Sequence, residues 1–248
     1  MQPIKHPIDN DSLPPLAIIP AFNEAIAIAE VVTKTLALGL DVVVIDDCSR
    51  DDTGTIASQA GAIVLRHPTN LGYACALQTG YLYALRNGYK RLVQLDGDGQ
   101  HDPNSALDLL RILETGMCDL VIGSRFLGLS GYRVSRLRRM GQYFFGSVLN
   151  ALTGMNITDP TSGLQAMTSD VLKFYCSHVF PDDFPDANII LLLHRKKFRV
   201  IEIPVRMLPS ASGSMHSGLY RPIYYVIKMT FSLFMSLLIK LPPTDHHK

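Results

Sequence analysis

Short apolar runs alternate along this chain with longer stretches in which apolar residues recur at helical spacing. Residues 16–20 read as a strand that Pro20 ends, and Asn23 as the cap of a helix over 25–38 that Gly39 stops. Residues 41–45 form a second strand, closed by Asp46 and Asp47. A polar turn over 49–53 leads into a helix, 62–65 make a third strand, and Asn70-Leu-Gly72 opens a helix to about Arg86. A fourth strand over 92–95 follows, and Pro103 suits the first turn of the next helix. Further strands are expected over 119–123, 164–167 and 199–203, with helices over 137–152 and 187–196. This alternation predicts an α/β fold with a mostly parallel central sheet covered on both faces. Ligands of such sheets gather beyond the carboxyl ends of the strands. Glu24, Asp47, Asp96 and Asp98 all fall at such ends, so they are expected to converge.

Composition narrows the picture. With 248 residues, 47% of them apolar, the chain suits one sizeable core. Its net charge of +1 implies no general affinity for nucleic acid. Four scattered cysteines, none in a C-x-x-C pair, read as reduced cytosolic thiols. Residues 1–15 are polar and proline-rich, which predicts a loose, flexible tail and not a signal peptide.

The chemistry centres on Asp96-Gly-Asp98-Gly-Gln100-His101-Asp102-Pro103, directly after the fourth apolar run. In a strand, residues i and i+2 point the same way, which would bring Asp96 and Asp98 out side by side. Two such acids stand either in a solvated turn or around a hard cation, and oxygen ligands with room for more suit Mg²⁺ or Mn²⁺. An EF-hand loop does not fit, because the glycine is misplaced and no glutamate closes it. No G-x-G-x-x-G follows the first strand and no G-x-x-x-x-G-K-[ST] occurs, which argues against redox dinucleotide enzymes and P-loop NTPases. The turn after the first strand is not the glycine-rich basic turn of a sugar nucleotidyltransferase.

Six stretches in order carry a resemblance: Pro20-Ala-Phe-Asn-Glu24, residues 44–53, Asn70-Leu-Gly72, residues 96–103, Gly123-Ser-Arg125 and Asp159-Pro-Thr-Ser-Gly163. Together they resemble the family 2 glycosyltransferases, nearest the dolichyl- and polyprenyl-phosphate sugar transferase branch, over residues 16–218. The resemblance implies a GT-A (Rossmann-like) fold, a nucleoside-diphosphate sugar donor, a divalent metal and inversion at the anomeric carbon. It implies that Pro20, Phe22 and Glu24 line a nucleoside pocket, with core packing the other reading of Pro20 and Phe22. Asp47 would contact base or ribose. Asp96 would lie near nucleotide and metal, Asp98 would bind the metal, and Gln100 would complete the shell.

The second half bears on the acceptor. Arg133, Arg136, Arg138 and Arg139 crowd the start of a helix, where its dipole disfavours cations by roughly 0.3–1 kcal/mol each. A bound phosphate reverses that penalty. The resemblance implies that Arg125 with Arg138 or Arg139 holds an acceptor phosphate, beside the reading of a basic face toward anionic lipid. Asp186 falls where the family has a carboxylate near the reaction centre. A hydroxyl acceptor would use it as base, a phosphate acceptor would not, and orientation or fold support is the other role. After Pro204-Val-Arg206 the branch usually carries an arginine that this chain lacks. Its glycine- and serine-rich residues 211–218 predict a mobile loop in which Ser214 and His216 could meet phosphate.

Residues 219–241 are strongly apolar, with Arg221, Tyr225, Lys228, Ser232 and Ser236 on one narrow helical stripe. The uncharged run is too short to span a bilayer. This predicts an amphipathic helix in the membrane interface, against a helix packed on protein or in an oligomer. The expected arrangement is one GT-A domain over 16–210, the loop, and this helix, peripheral on the cytoplasmic membrane face. The expected activity is metal-dependent transfer of a sugar to polyprenyl phosphate, with a homo-oligomer or membrane-protein partner left open. The alternatives are transfer to a hydroxyl of a glycan or lipid with Asp186 as base, and a non-catalytic nucleotide-sugar-binding membrane scaffold.

Overall fold

The computed structural model describes residues 13–128, 136–208 and 220–241, without the side chains of 136–138 and 220–223. Ser214, His216, the 211–218 loop, residues 1–12 and the side chain of Arg138 therefore lie outside the described residues. In chain order the elements are β1 (Leu16–Ala21), α1 (Ile28–Ala37), β2 (Asp41–Asp46), α2 (Thr53–Gln59), β3 (Ile63–Arg66), α3 (Tyr73–Arg86), β4 (Arg91–Gln94) and α4 (Pro103–Glu114). They continue with β5 (Leu120–Ser124), α5 (Arg136–Thr153), β6 (Gln165–Thr168), α6 (Ser169–Tyr175), α7 (Ala187–Arg195), β7 (Val200–Pro204) and α8 (Tyr220–Leu238).

The strands form one seven-stranded sheet in the order β3-β2-β1-β4-β6-β5-β7. All pairings are parallel except those of β6, which runs antiparallel to both β4 and β5. Period-two alternation sends Leu16 and Ile18 to one face and Ala17, Ile19 and Ala21 to the other. One face carries α3, α5, α6, α7 and α8, and the other carries α1, α2 and α4. α3 lies very close to β1, because a Cβ on Gly80 would come within 2.4 Å of Ile18.

Several expectations shift. β1 runs on to Ala21 through Pro20, since its pairing with β4 stops at Ile18 and the missing N–H costs nothing there. Asn23 does not cap α1. It adopts φ +58°, a region asparagine tolerates, and α1 starts at Ile28. Its N-terminal amides on Ala27 and Ile28 donate to the Glu24 carbonyl. α4 begins at Pro103 as expected, capped by the Asp102 carboxylate. α6 and the inversion of β6 carried no signal in the alternation pattern. Residues 13–15 are tied down: the Leu13 carbonyl accepts from Arg91 and the Pro15 carbonyl from the Asp41 amide.

The polar stripe of α8 faces inward. Tyr225 donates to Asp186, Asn188 to the Ser232 hydroxyl, and Arg195 to the carbonyls of Ser236 and Ile239. Lys228 pairs with Asp183. Met229 and Leu233 are buried beside this stripe, while Tyr224, Ile227, Phe231, Phe234 and Leu238 are exposed. A helix of a water-soluble domain turns its greasy side inward; this one shows much of it outward. Among the described residues, no helix is long and apolar enough to cross a membrane.

Candidate active site

The turns after β1 and β2 are stitched together. The Asn23 amide donates to Ser49, the Glu24 amide to the Thr53 hydroxyl, and Asn23 Oδ1 accepts from the Arg50 amide. Phe22 and Glu24 are half-buried in this turn, whereas Pro20 is buried inside β1 opposite Ile45. Asp46 holds the second turn, accepting from the Ser49 amide and pairing with Arg66. Asp47, expected at base or ribose, turns its carboxylate to protein. Oδ1 meets His67 at 2.7 Å and the Leu71 amide at 2.8 Å, and Oδ2 accepts from the Gly72 amide at 2.8 Å. It thereby places negative charge at the start of α3, where the helix dipole favours it.

β4 ends at Gln94, so strand period does not set the directions of Asp96 and Asp98; a turn at Gly97 does. Gly97 packs on β1, since a Cβ there would lie 3.3 Å from the Pro20 carbonyl oxygen. Asp96 is held on both oxygens, by the Tyr73 hydroxyl at 3.0 Å and by His101 Nε2 at 3.2 Å. It also lies hard against Gly163, where a Cβ would come within 2.4 Å of its carboxylate. Burial works against the Asp96 charge, but the His101 and Tyr73 contacts outweigh it and keep the acid below its ordinary pKa. Asp98 goes the other way: burial, then the neighbouring Asp96 charge, push it up. Its Oδ1 accepts from the Gln100 amide, and its Oδ2 has no hydrogen bond among the described residues.

This donor set fits a hard cation of a particular kind. Among the described residues no three His, Cys, Asp or Glu side chains cluster for a metal. An ion here would rest on one or two carboxylates and complete its shell from water and phosphate oxygens, the habit of Mg²⁺. A cation would also relieve the repulsion that raises Asp98.

Arg125 is buried and committed to a fork with Asp159, Nε to Oδ2 at 2.6 Å and Nη2 to Oδ1 at 2.7 Å, with Thr161 taking further bonds from Nη2. Its charge still helps depress Asp96. Arg139 is exposed on α5, and Gln142 of the same helix donates to the Thr161 hydroxyl that also binds Arg125. Asp186 stands just before α7, accepts from Tyr225 at 2.6 Å, and lies near enough to Tyr73 for its charge to help raise that phenol's pKa. Asp186 therefore borders the acidic turn. Tyr73, His101 and Gly163 touch Asp96 directly, and sequence reasoning assigned none of them a role. Gln94, a polar residue inside an apolar run, was the available signal, because a buried amide needs partners.

A mostly parallel sheet whose strand ends gather an acidic turn matches the GT-A (Rossmann-like) architecture expected from the sequence. The sequence profile of glycosyl transferase family 2 matches residues 16–175. The chain belongs to this family and is a hexosyltransferase, similar within it to the polyprenyl-phosphate sugar transferases. It is 34% identical over 215 residues to an undecaprenyl-phosphate mannosyltransferase of Micrococcus luteus, covering 80% of this chain and 85% of that one. It is 30% identical over 209 residues to a polyprenol monophosphomannose synthase of Mycolicibacterium smegmatis, covering 77% and 76%. Its fold matches that of glucosyl-3-phosphoglycerate synthase of Mycobacterium tuberculosis, solved with Mn²⁺ and UDP-glucose, with a TM-score of 0.72 at 19% identity over 95% and 82% of the two chains. At that identity the likeness is one of fold.

Proposed function

We propose that this enzyme transfers a hexose, with inversion, from a nucleoside-diphosphate sugar to a polyprenyl phosphate at the cytoplasmic membrane face. The observation that carries the reading is the acidic turn after β4, where Asp98 is raised by burial and by Asp96 and keeps Oδ2 unbonded among the described residues. The two relatives named for polyprenyl-phosphate mannose transfer support the acceptor, and the Mn²⁺ and UDP-glucose in the fold neighbour support the donor and cation.

In this reading Asp98, with Asp96 and Gln100, would hold Mg²⁺ or Mn²⁺, which supplies positive charge to the departing diphosphate. Phe22 and Glu24 line the nucleoside pocket with Pro20 behind them, and Asp47 shapes its floor by fixing Leu71 and Gly72. A phosphate oxygen of the acceptor attacks the anomeric carbon from the side opposite the diphosphate, the new C–O bond forming as the old one breaks. That oxygen is already anionic, so no base is required. Arg125, locked by Asp159, supplies fixed positive charge at the rim, and Arg138, Arg139, Ser214 and His216 are the remaining candidates for the acceptor phosphate. The outward apolar side of α8 rests in the lipid interface, which keeps residues 16–210 peripheral to the bilayer.

The test is purified enzyme with Mn²⁺ or Mg²⁺, UDP- and GDP-hexoses, and polyprenyl phosphate in vesicles. Metal-dependent glycolipid is expected, abolished by Asp98→Asn with an unchanged Tm. Near-normal turnover by that variant refutes the metal assignment. Transfer to a hydroxyl is the second reading, favoured by the carboxylate of Asp186 beside the acidic turn. Asp186→Ala separates the two, since phosphate transfer partly survives it and hydroxyl transfer does not.

A further inference from the structure

Two tyrosines of α3 and one glutamine of β4 form a hydrogen-bonded line that ends on Asp96. Tyr81, 1% exposed and packed against Tyr175 and Phe180, donates to Gln94 Oε1. Gln94, 3% exposed, donates through Nε2 to the Tyr73 hydroxyl at 3.1 Å, and Tyr73 meets Asp96 Oδ1 at 3.0 Å. The direction of this line is forced. A glutamine whose oxygen is taken by Tyr81 has only N–H to offer Tyr73. A hydroxyl that accepts from Gln94 keeps one proton, and that proton goes to Asp96. The reverse amide orientation would turn a phenol lone pair onto the Asp96 carboxylate, which is repulsive.

We propose that Tyr73 is a positioning residue for the acidic turn: it holds the Asp96 carboxylate at one orientation, as a pure acceptor, so that its remaining lone pairs face the cation. This rests on the proposed function, because it assigns a supporting role within that site. His101 does the same for the other oxygen, and Gly163 closes the third side. Without the Tyr73 arm the carboxylate is held only by His101 and the Gly163 wall, and partners of this supporting kind typically carry 10- to 100-fold in metal affinity or activity.

Tyr73→Phe removes one hydroxyl and keeps a ring that is already 42% exposed, so the fold survives it. Mn²⁺ binding to the full chain is measured by electron paramagnetic resonance, alone and with UDP or GDP, alongside Tm and transfer kinetics. The expected result is about tenfold weaker Mn²⁺ binding, an unchanged Tm, and a larger effect on the apparent KM for donor than on kcat. In an Asp96→Asn background the same substitution should change nothing further, because the residue acts through Asp96. Tyr81→Phe, at the far end, should give a smaller loss in the same direction. Wild-type binding by Tyr73→Phe, or losses that add in the double variant, overturn the inference and leave the proposed function standing. Absence of Mn²⁺ binding in the wild type with either nucleotide overturns both.

Discussion

Gly163→Ala tests whether the Asp96 carboxylate must stay where it lies. Gly163 needs no left-handed backbone, so the only perturbation is one methyl group. That methyl would come 2.4 Å from Oδ2, 2.7 Å from Oδ1 and 2.8 Å from Cγ of Asp96. Ordinary contact begins near 3.4 Å, so something must give way by about 1 Å. The loop carrying Gly163 is the stiffer side: Ser162 donates to the Gly123 carbonyl, and Asp159 and Thr161 hold Arg125. Asp96 therefore moves and loosens its bonds to Tyr73 and His101, each worth roughly 1.5–3 kcal/mol as a bond to a charged group. A displacement of about 1 Å at a site of group transfer costs on the order of 100-fold in rate, or about 2.7 kcal/mol of barrier. Initial rates of glycolipid formation across a metal titration measure this, with Tm followed in parallel. Turnover within about twofold of wild type would refute the argument. So would a fall in Tm large enough to explain the lost activity by unfolding.

Other predictions follow from the same contacts. Asp159→Ala leaves the Arg125 guanidinium buried without its partner and should cost about 3–5 kcal/mol in urea unfolding; a loss below about 1 kcal/mol would contradict the reading of this pair. Arg199 holds Asp119 below its ordinary pKa of 3.8. A depressed carboxylate stabilises the fold above its unfolded pKa and loses that contribution as pH falls through the folded value. Asp119→Asn should therefore lower Tm at pH 7 by a deficit that shrinks as pH falls below 3.8, and a deficit independent of pH would count against it. Phe231→Glu with Phe234→Glu places charge on positions 62% and 56% exposed, so Tm should hold while co-sedimentation with lipid vesicles falls about tenfold or more. Unchanged vesicle binding would dispose of the interfacial role of α8.

Local periodicity made the strands and most helices legible, since β1, β2 and β4 are buried runs and the last two are followed closely by acids. The inversion of β6 was not legible. A four-residue strand reads the same in either direction, and its orientation is settled by pairing with β4 and β5 far away in sequence. Asp96 and Asp98 announced themselves by composition, but their surroundings did not. Tyr73 lies 23 residues before Asp96 and Gly163 far after it, and only the folded sheet brings them together. The protein partners of Asp47 were hidden for the same reason. The sequence marks an acid at a strand end but not the amides of Leu71 and Gly72 that arrive at it. On α8 the sequence sets Tyr225, Ser232 and Ser236 on one stripe, but a pattern cannot say which side of a helix meets the protein.

The inverted strand has a consequence for how this pocket can vary. Parallel strands deliver to the cleft only the residues on which they leave the sheet. β6 instead delivers the residues on which it enters, and so the 159–163 segment slots between the exits of β4 and β5, touching Asp96 on one side and Arg125 on the other. The acids themselves are anchored from the opposite flank, where β1 and α3 hold β4. Because Gly163 packs directly on the Asp96 carboxylate, any reshaping of that incoming segment is felt by the acid as well, so this wall of the site and the seat of Asp96 can change only together.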